Sequence, residues 1–289
     1  MRSVLETGVM RVAPSMKAQN VANTLWALAT LGWQASEGSM RSVMERAVMR
    51  VAPSMKAQNV ANALWALATL GWQASEGSMR SVMEGAVLRE TSGMNTQAMA
   101  NTLWAAATLG WRASVELAAC FEHVAVTLSR DNDVRPLSTL VLSQLFQAHA
   151  ASQLLGLGLI ALPLPILQAA VVAYRDNKRK STVLSAQREV GESLQRLGVA
   201  HALEHITADG LFSIDLAIVD LRIALEFDGP AQFTTNTLEP LGHTRLRDRL
   251  LSATGWQVVS IPFFEWAELH RAEQKDAYIE ERLRRVSSN

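Results

Sequence analysis

Three carboxylates in the C-terminal half stand in stretches that alternate apolar and polar residues: Asp215 within 211–219, and Glu226 and Asp228 within 222–228. Side chains two apart on a strand share a face, so Glu226 and Asp228 point the same way, and Asp215 on a paired hairpin strand can reach them. Three converging carboxylates suit Mg²⁺, which prefers oxygen ligands and activates water for phosphodiester cleavage. On that reading Asp215, Glu226 and Asp228 are catalytic, Asp215 and Glu226 hold the metal, and Glu189 on a preceding helix adds a fourth acid. The competing reading is structural. Asp228-Gly229-Pro230 has the composition of a turn in which the aspartate caps backbone groups. Adjacent acids also repel unless a cation lies near, a part open to Arg222, Arg245 and Arg247. A second string, His201-Ala-Leu-Glu204-His205, matches a zinc-peptidase pattern, but that chemistry needs a helix and this stretch reads as a strand.

The elements that must position these acids are legible around them. A helix carrying Val183, Leu184, Val190, Leu194 and Leu197, with Ser181 as its cap, closes at Gly198. Period two then takes over: a short strand at 202–207, a tight turn at Asp209-Gly210, and strands at 211–219 and 222–228. A basic helix with Arg245, Arg247 and Arg249 spans 244–254 and ends at Gly255; a buried strand follows at 256–261, and helices finish the chain. The order is that of an α/β domain with hairpins at one edge and a crossover at the other.

The first half is organised differently. Trp26, Trp65 and Trp104 recur at equal intervals, within VANTLWALATLGW, VANALWALATLGW and MANTLWAAATLGW. A period of this length, about 39 residues, indicates a solenoid. In the second unit Met40, Val43, Met44, Ala47, Val48 and Val51 form one apolar helical stripe; Pro53 ends that helix, and Ser54 is placed to cap the next. The second helix buries Ala57, Val60, Ala61, Leu64, Leu67 and Ala68, and Gly71 supplies a left-handed C-terminal cap. Such a hairpin cannot bury its stripe alone, so neighbouring units must stack. A degenerate further unit runs from Val115 to about Ala151.

Asn23, Asn62 and Asn101 sit mid-helix, where they either read base edges or form a ladder between units; their invariance favours the ladder. The tryptophans suit packing before base stacking. Arg2, Arg41 and Arg80 recur in register, as do Arg11, Arg50 and Arg89, and would form two basic stripes that contact phosphates or face solvent; Lys17 and Lys56 extend them.

Bulk composition sets limits. The chain of 289 residues is 49% hydrophobic and 19% charged, a globular composition with room for two cores. Its 27 basic and 27 acidic residues exclude a polycation that grips phosphate indiscriminately. Cys120 stands alone, which excludes an internal disulfide and a multi-cysteine metal site. The uncharged stretch 154–174 is long enough for a membrane span, but Gly156, Gly158, Pro163 and Pro165 interrupt it, so a buried junction is expected and no membrane partner. No targeting segment is visible ahead of the repeats.

Two resemblances follow from these residues. The ANTLWALATLG block in a unit of this length resembles the octotricopeptide-type repeats of algal and protist organellar RNA-binding proteins, and the leucine-rich region of the FAST-kinase-like family. IDLAIVDLRIALEFDGPAQF from Ile214 and GHTRLRDRLLSATGWQVVSIPFFEW from Gly242 closely resemble the RAP domain, a module of organellar RNA-processing proteins that is similar to restriction-endonuclease-like PD-(D/E)XK folds. Together they imply an N-terminal all-α solenoid of two-helix repeats over 1–174, a linker at 175–182, and a RAP-like α/β domain over 183–289. They imply an RNA-binding factor in mitochondrial or chloroplast RNA processing, stability or translation, with single-stranded or structured RNA and other RNA-processing proteins as partners. Its RNA contacts would be Arg2, Arg11, Arg41, Arg50, Arg80, Arg89, Arg245, Arg247 and Arg249. A Mg²⁺-dependent ribonuclease and a protein-interaction scaffold are the alternatives. The nuclease pattern wants a lysine where Asp228 stands, and the usual RAP histidine is Gln232, which together argue against catalysis. Arginine is a poor substitute as a proton carrier.

Overall fold

A computed structural model describes residues 2–35, 40–72, 78–130, 137–179 and 185–287. The chain separates into two compact units: Met1–Ala173 with Thr234–Leu246, and Tyr174–Phe233 with Arg247–Asn289. The helices Leu164–Arg179 and Gly242–Ala253 each contribute residues to both.

The first unit is helical. Pairs α1 (Arg2–Val12) and α2 (Ala18–Thr30), α3 (Met40–Val51) and α4 (Ala57–Thr69), α5 (Ser78–Glu90) and α6 (Thr96–Thr108), and α7 (Val115–Arg130) and α8 (Thr139–Leu154) follow one another, then α9 (Leu164–Arg179). The second helices stack directly, α2 on α4, α4 on α6 and α6 on α8. Their small residues allow it: Ala61, Ala63, Ala66 and Ala68 are fully buried, and so are Leu64 and Leu70 beside them. Each such leucine contributes about 1.5–3 kcal/mol of burial.

Within each of the first three pairs the join is a 3₁₀ turn, Ala13–Ser15, Ala52–Ser54 and Thr91–Gly93. The cap expected from Ser54 is not made. Its hydroxyl donates to the Val51 carbonyl at 2.9 Å, because Pro53 starts the turn and Met55 and Lys56 must run extended before α4 begins. The turns are clamped by the following unit. Arg50 Nη2 donates to the carbonyls of Ala13 and Met16 at 3.1 and 2.7 Å, and Arg89 Nη2 to those of Ala52 and Met55 at 3.0 and 3.3 Å. At the other end of the pair, Gly71 takes the left-handed conformation expected of a C-terminal cap, with φ 65°, which costs glycine little because it has no Cβ.

The uncharged stretch after α8 bends rather than spanning. Residues 155–163 are irregular, with Leu157, Leu159, Ile160 and Leu162 buried, and α9 starts at Leu164. Among the described residues no helix is long and apolar enough to cross a membrane.

Residues 234–246 complete the first unit along the C-terminal ends of the second helices. Asn236 exchanges two hydrogen bonds with the Gln34 backbone at 2.8 and 2.7 Å, and Thr235 N–H donates to the Gly32 carbonyl at 2.7 Å. Gln34 accepts from the buried Trp72 indole and donates to Glu239 at 3.0 Å.

The second unit is built on α10 (Ser185–Arg196), β1 (Ala202–Ile206), β2 (Ser213–Ile218), β3 (Ile223–Asp228), α11 (Gly242–Ala253), β4 (Gln257–Pro262), α12 (Phe263–Ala267) and α13 (Ala272–Ser287). The sheet order is β1-β2-β3-β4, antiparallel through β3, with β4 parallel to β3 after the α11 crossover. Leu216, Ile218, Ile223, Leu225, Val259 and Ile261 share one face and pack with Val190 and Leu194 of α10, Trp266 and Ile279. The alternate residues, the three acids among them, take the other face. The cap expected from Ser181 lies outside the described residues.

Candidate functional site

β2 and β3 pair Leu216 with Leu225, so one step along Asp215 stands beside Glu226. β3 and β4 pair Glu226 with Ser260. Asp215, Glu226, Asp228 and Ser260 therefore line the sheet face away from α10, as alternation predicts.

Each acid has a partner from the protein. Arg247 Nη1 reaches Glu226 Oε2 at 2.6 Å, with the carboxylate buried and the guanidinium nearly so, and Arg247 Nη2 donates to the Ser213 carbonyl at 2.7 Å. Asp215 Oδ2 accepts from the Phe227 N–H at 2.9 Å, and Asp228 Oδ2 accepts from the Ser260 hydroxyl. Glu226 Oε1 is buried and accepts no hydrogen bond from the described residues. Asp248, one residue on from Arg247, is half-buried near Asp228.

Low dielectric governs how these groups hold protons. Burial raises the Glu226 carboxyl to about 8, with Asp215 and Asp228 adding to the shift and Arg247 opposing it. Burial and then Asp228 raise Asp248 to about 6. Burial and then Asp215 also raise Glu204, on β1. Tyr174 is driven up to about 12, chiefly by its burial.

Mg²⁺ is the cofactor that only the alternative, ribonuclease reading of these acids would require. A divalent cation needs several carboxylate oxygens converging without a competing cation. Arg247 holds one Glu226 oxygen, and the Phe227 N–H and the Ser260 hydroxyl each occupy an oxygen of the other two acids. Among the described residues no group of three or more His, Cys, Asp or Glu is arranged to hold a metal ion. The donors as placed do not fit the ion. Glu189 does not join them: it accepts from Lys275 Nζ at 2.6 Å and Trp266 Nε1 at 3.2 Å on the α10 side. His201 leads into β1, and its Nδ1 lies 3.0 Å from the Val199 carbonyl, away from any helical zinc geometry. Gln232 occupies the 3₁₀ turn Pro230–Gln232.

The arginines are used unevenly. Arg41 stacks over Trp72, 5.6 Å from the ring centre, and pairs with Glu45 at 3.0 Å. Arg80 lies 5.7 Å from the Trp111 ring centre and donates to the Arg112 carbonyl at 2.6 Å. Arg50 and Arg89 are the turn clamps already described. Arg11 is exposed and has no partner among the described residues. Arg245 is partly exposed and 3.7 Å from Glu239, whereas Arg249 is half-buried, with burial lowering its pKa. The Arg2 side chain lies outside the described residues. Lys17 and Lys56 are exposed just ahead of α2 and α4.

The asparagines build an amide network over part of the array. Gln97 donates to Asn101 at 2.9 Å and to Gln144 at 3.2 Å, and Gln144 donates to Asn101 at 3.0 Å, joining α6 to α8. Gln58 donates to Asn62 at 2.7 Å within α4, while Asn23 is exposed. Three residues central to this geometry escape sequence reasoning: Tyr174, Asp248 and Ser260. The single available signal is the two-residue offset that puts Ser260 on the same face as Val258.

Known proteins add to this picture. Residues 225–282 match the model of the RAP domain. Over 95 residues the chain is 38% identical to the RAP domain-containing protein, chloroplastic, of Oryza sativa subsp. japonica. That match covers 33% of this chain and 14% of the rice protein, so the chain spans a small part of its relative's length. The stretch from β3 through α11 and β4 into α13 is a RAP domain.

Proposed function

We propose that this chain is an RNA-binding factor acting in organellar RNA processing, stability or translation, and that its RAP domain binds without cutting. The observation that carries the binding-only reading is the Arg247–Glu226 pair, which puts a non-transferable cation where a catalytic metal would bind. The name of the rice relative supports a plastid as the compartment. The helix, three antiparallel strands, helix and parallel strand we read as a nuclease-like frame kept for recognition.

The phosphate contacts we assign to Lys17 and Lys56, exposed just ahead of α2 and α4, and to the partly exposed Arg245. The test is fluorescence anisotropy with a labelled mixed-sequence single-stranded RNA across a salt series. Affinity should fall with salt, and Lys17→Gln with Lys56→Gln should reduce the log–log slope by about 1 to 2. Binding indifferent to salt would favour a protein-interaction scaffold. RNA cleavage that needs Mg²⁺ and disappears in Glu226→Ala would make the chain a ribonuclease.

A further inference from the structure

The outer face of the first repeat is exposed where later repeats are covered. Leu31 is 59% exposed and its counterpart Leu70 0%, and Val12 is 41% exposed against 4% for Val51. Ala27 is exposed, while Ala66 and Ala105 are fully buried. The later counterparts are covered as α2 packs on α4 and α4 on α6, so the chain itself displays what fits this surface.

A polar observation points the same way. Arg50 and Arg89 each donate to the two carbonyls of the preceding repeat's 3₁₀ turn. Arg11 holds the same place in the repeat and is the member of the series with no partner among the described residues. Apolar face and unmatched donor are thus both halves of an interface the molecule builds twice elsewhere.

We propose that the α1–α2 face is a docking surface for one more two-helix repeat of this same kind, carried in tandem, whose 3₁₀ turn offers its carbonyls to Arg11. A second copy of the chain fits less well. The turn carbonyls of its first two repeats are already taken by Arg50 and Arg89, and its third repeat carries α7 on α5 and α8 on α6. The inference does not rest on RNA binding.

The test adds one such unit in register: a copy of residues 41–79 replaces Met1, behind a new initiator, so that its terminal methionine precedes Arg2 as Met40 precedes Arg41. In a Cys120→Ser background, Ala27→Cys reports accessibility to a thiol reagent. Labelling should slow about tenfold or more when the unit is added, since the thiol then reacts only through local opening. Arg11→Ala in the extended chain should recover much of the lost rate, while Arg11→Lys recovers less of it. Equal labelling with and without the unit would overturn the proposal. So would protection of the introduced thiol in the unextended chain at high concentration with a dimer in sedimentation, which would assign the face to a second copy.

Discussion

At the residue scale the site turns on one buried pair. Glu226 and Arg247 have lost most of their water, and each is acceptable in the interior because the other is there. Removing Glu226 strands the Arg247 guanidinium, which cannot shed its proton. Glu226→Leu alone should therefore cost about 3–5 kcal/mol in urea unfolding, whereas Glu226→Leu with Arg247→Met should cost far less. A single substitution as mild as the double would mean that water already reaches the pair. Alternation alone made the three acids legible, because strand periodicity fixes their face before any partner is known. Which of Arg245, Arg247 and Arg249 would meet them was not legible. That depends on how α11 is rotated over the sheet, a tertiary quantity with no local signature. Arg247 meets Glu226, while Arg245 belongs with the repeats.

At the element scale the helix pairs were readable from their stripes and stops, which recur along the chain, although the Ser54 cap was not placed correctly. The 3₁₀ joins were not: Pro53 signals that a helix ends but not how many residues separate it from the next. Residues 234–246 were also illegible, being short, polar and aperiodic, yet they supply the bonds to Gly32 and Gln34. Gly242 is the point of closest approach. A Cβ there would lie 1.9 Å from the Ala68 carbonyl oxygen and 2.8 Å from the Thr108 methyl. Helix propensity alone would make Gly242→Ala stabilising by about 1 kcal/mol. Overpacking against backbone costs about 1–3 kcal/mol and should win, because the carbonyl of α4 cannot swing aside. The expected result is a lower urea midpoint with faster amide exchange in 32–34 and 235–239. A higher midpoint would show that the helix start yields without effort.

At the scale of the molecule the balanced charge matters most. With 27 basic and 27 acidic residues, self-repulsion changes little near neutrality, so the pH dependence of stability is set by a few buried groups. These oppose one another by unit. Glu226 is raised from its ordinary 4.5 to about 8 and Asp248 from 3.8 to about 6, so the folded sheet unit binds protons more tightly than the unfolded chain. Their contribution is fully present below the ordinary values and is lost as pH rises through the raised ones. His149, in α8, is shifted down from 6.5 by its burial. Its contribution is present above that ordinary value and is lost as pH falls through the lowered one. Acidifying from about pH 8 toward about 5.5 should therefore strengthen β3 and α11 while weakening α8. Hydrogen exchange corrected for the intrinsic pH effect resolves the two. Glu226→Gln should flatten the sheet response and leave that of α8 unchanged. If both units moved in the same direction, or the Gln variant kept the full slope, the buried carboxyl would not be the group that titrates.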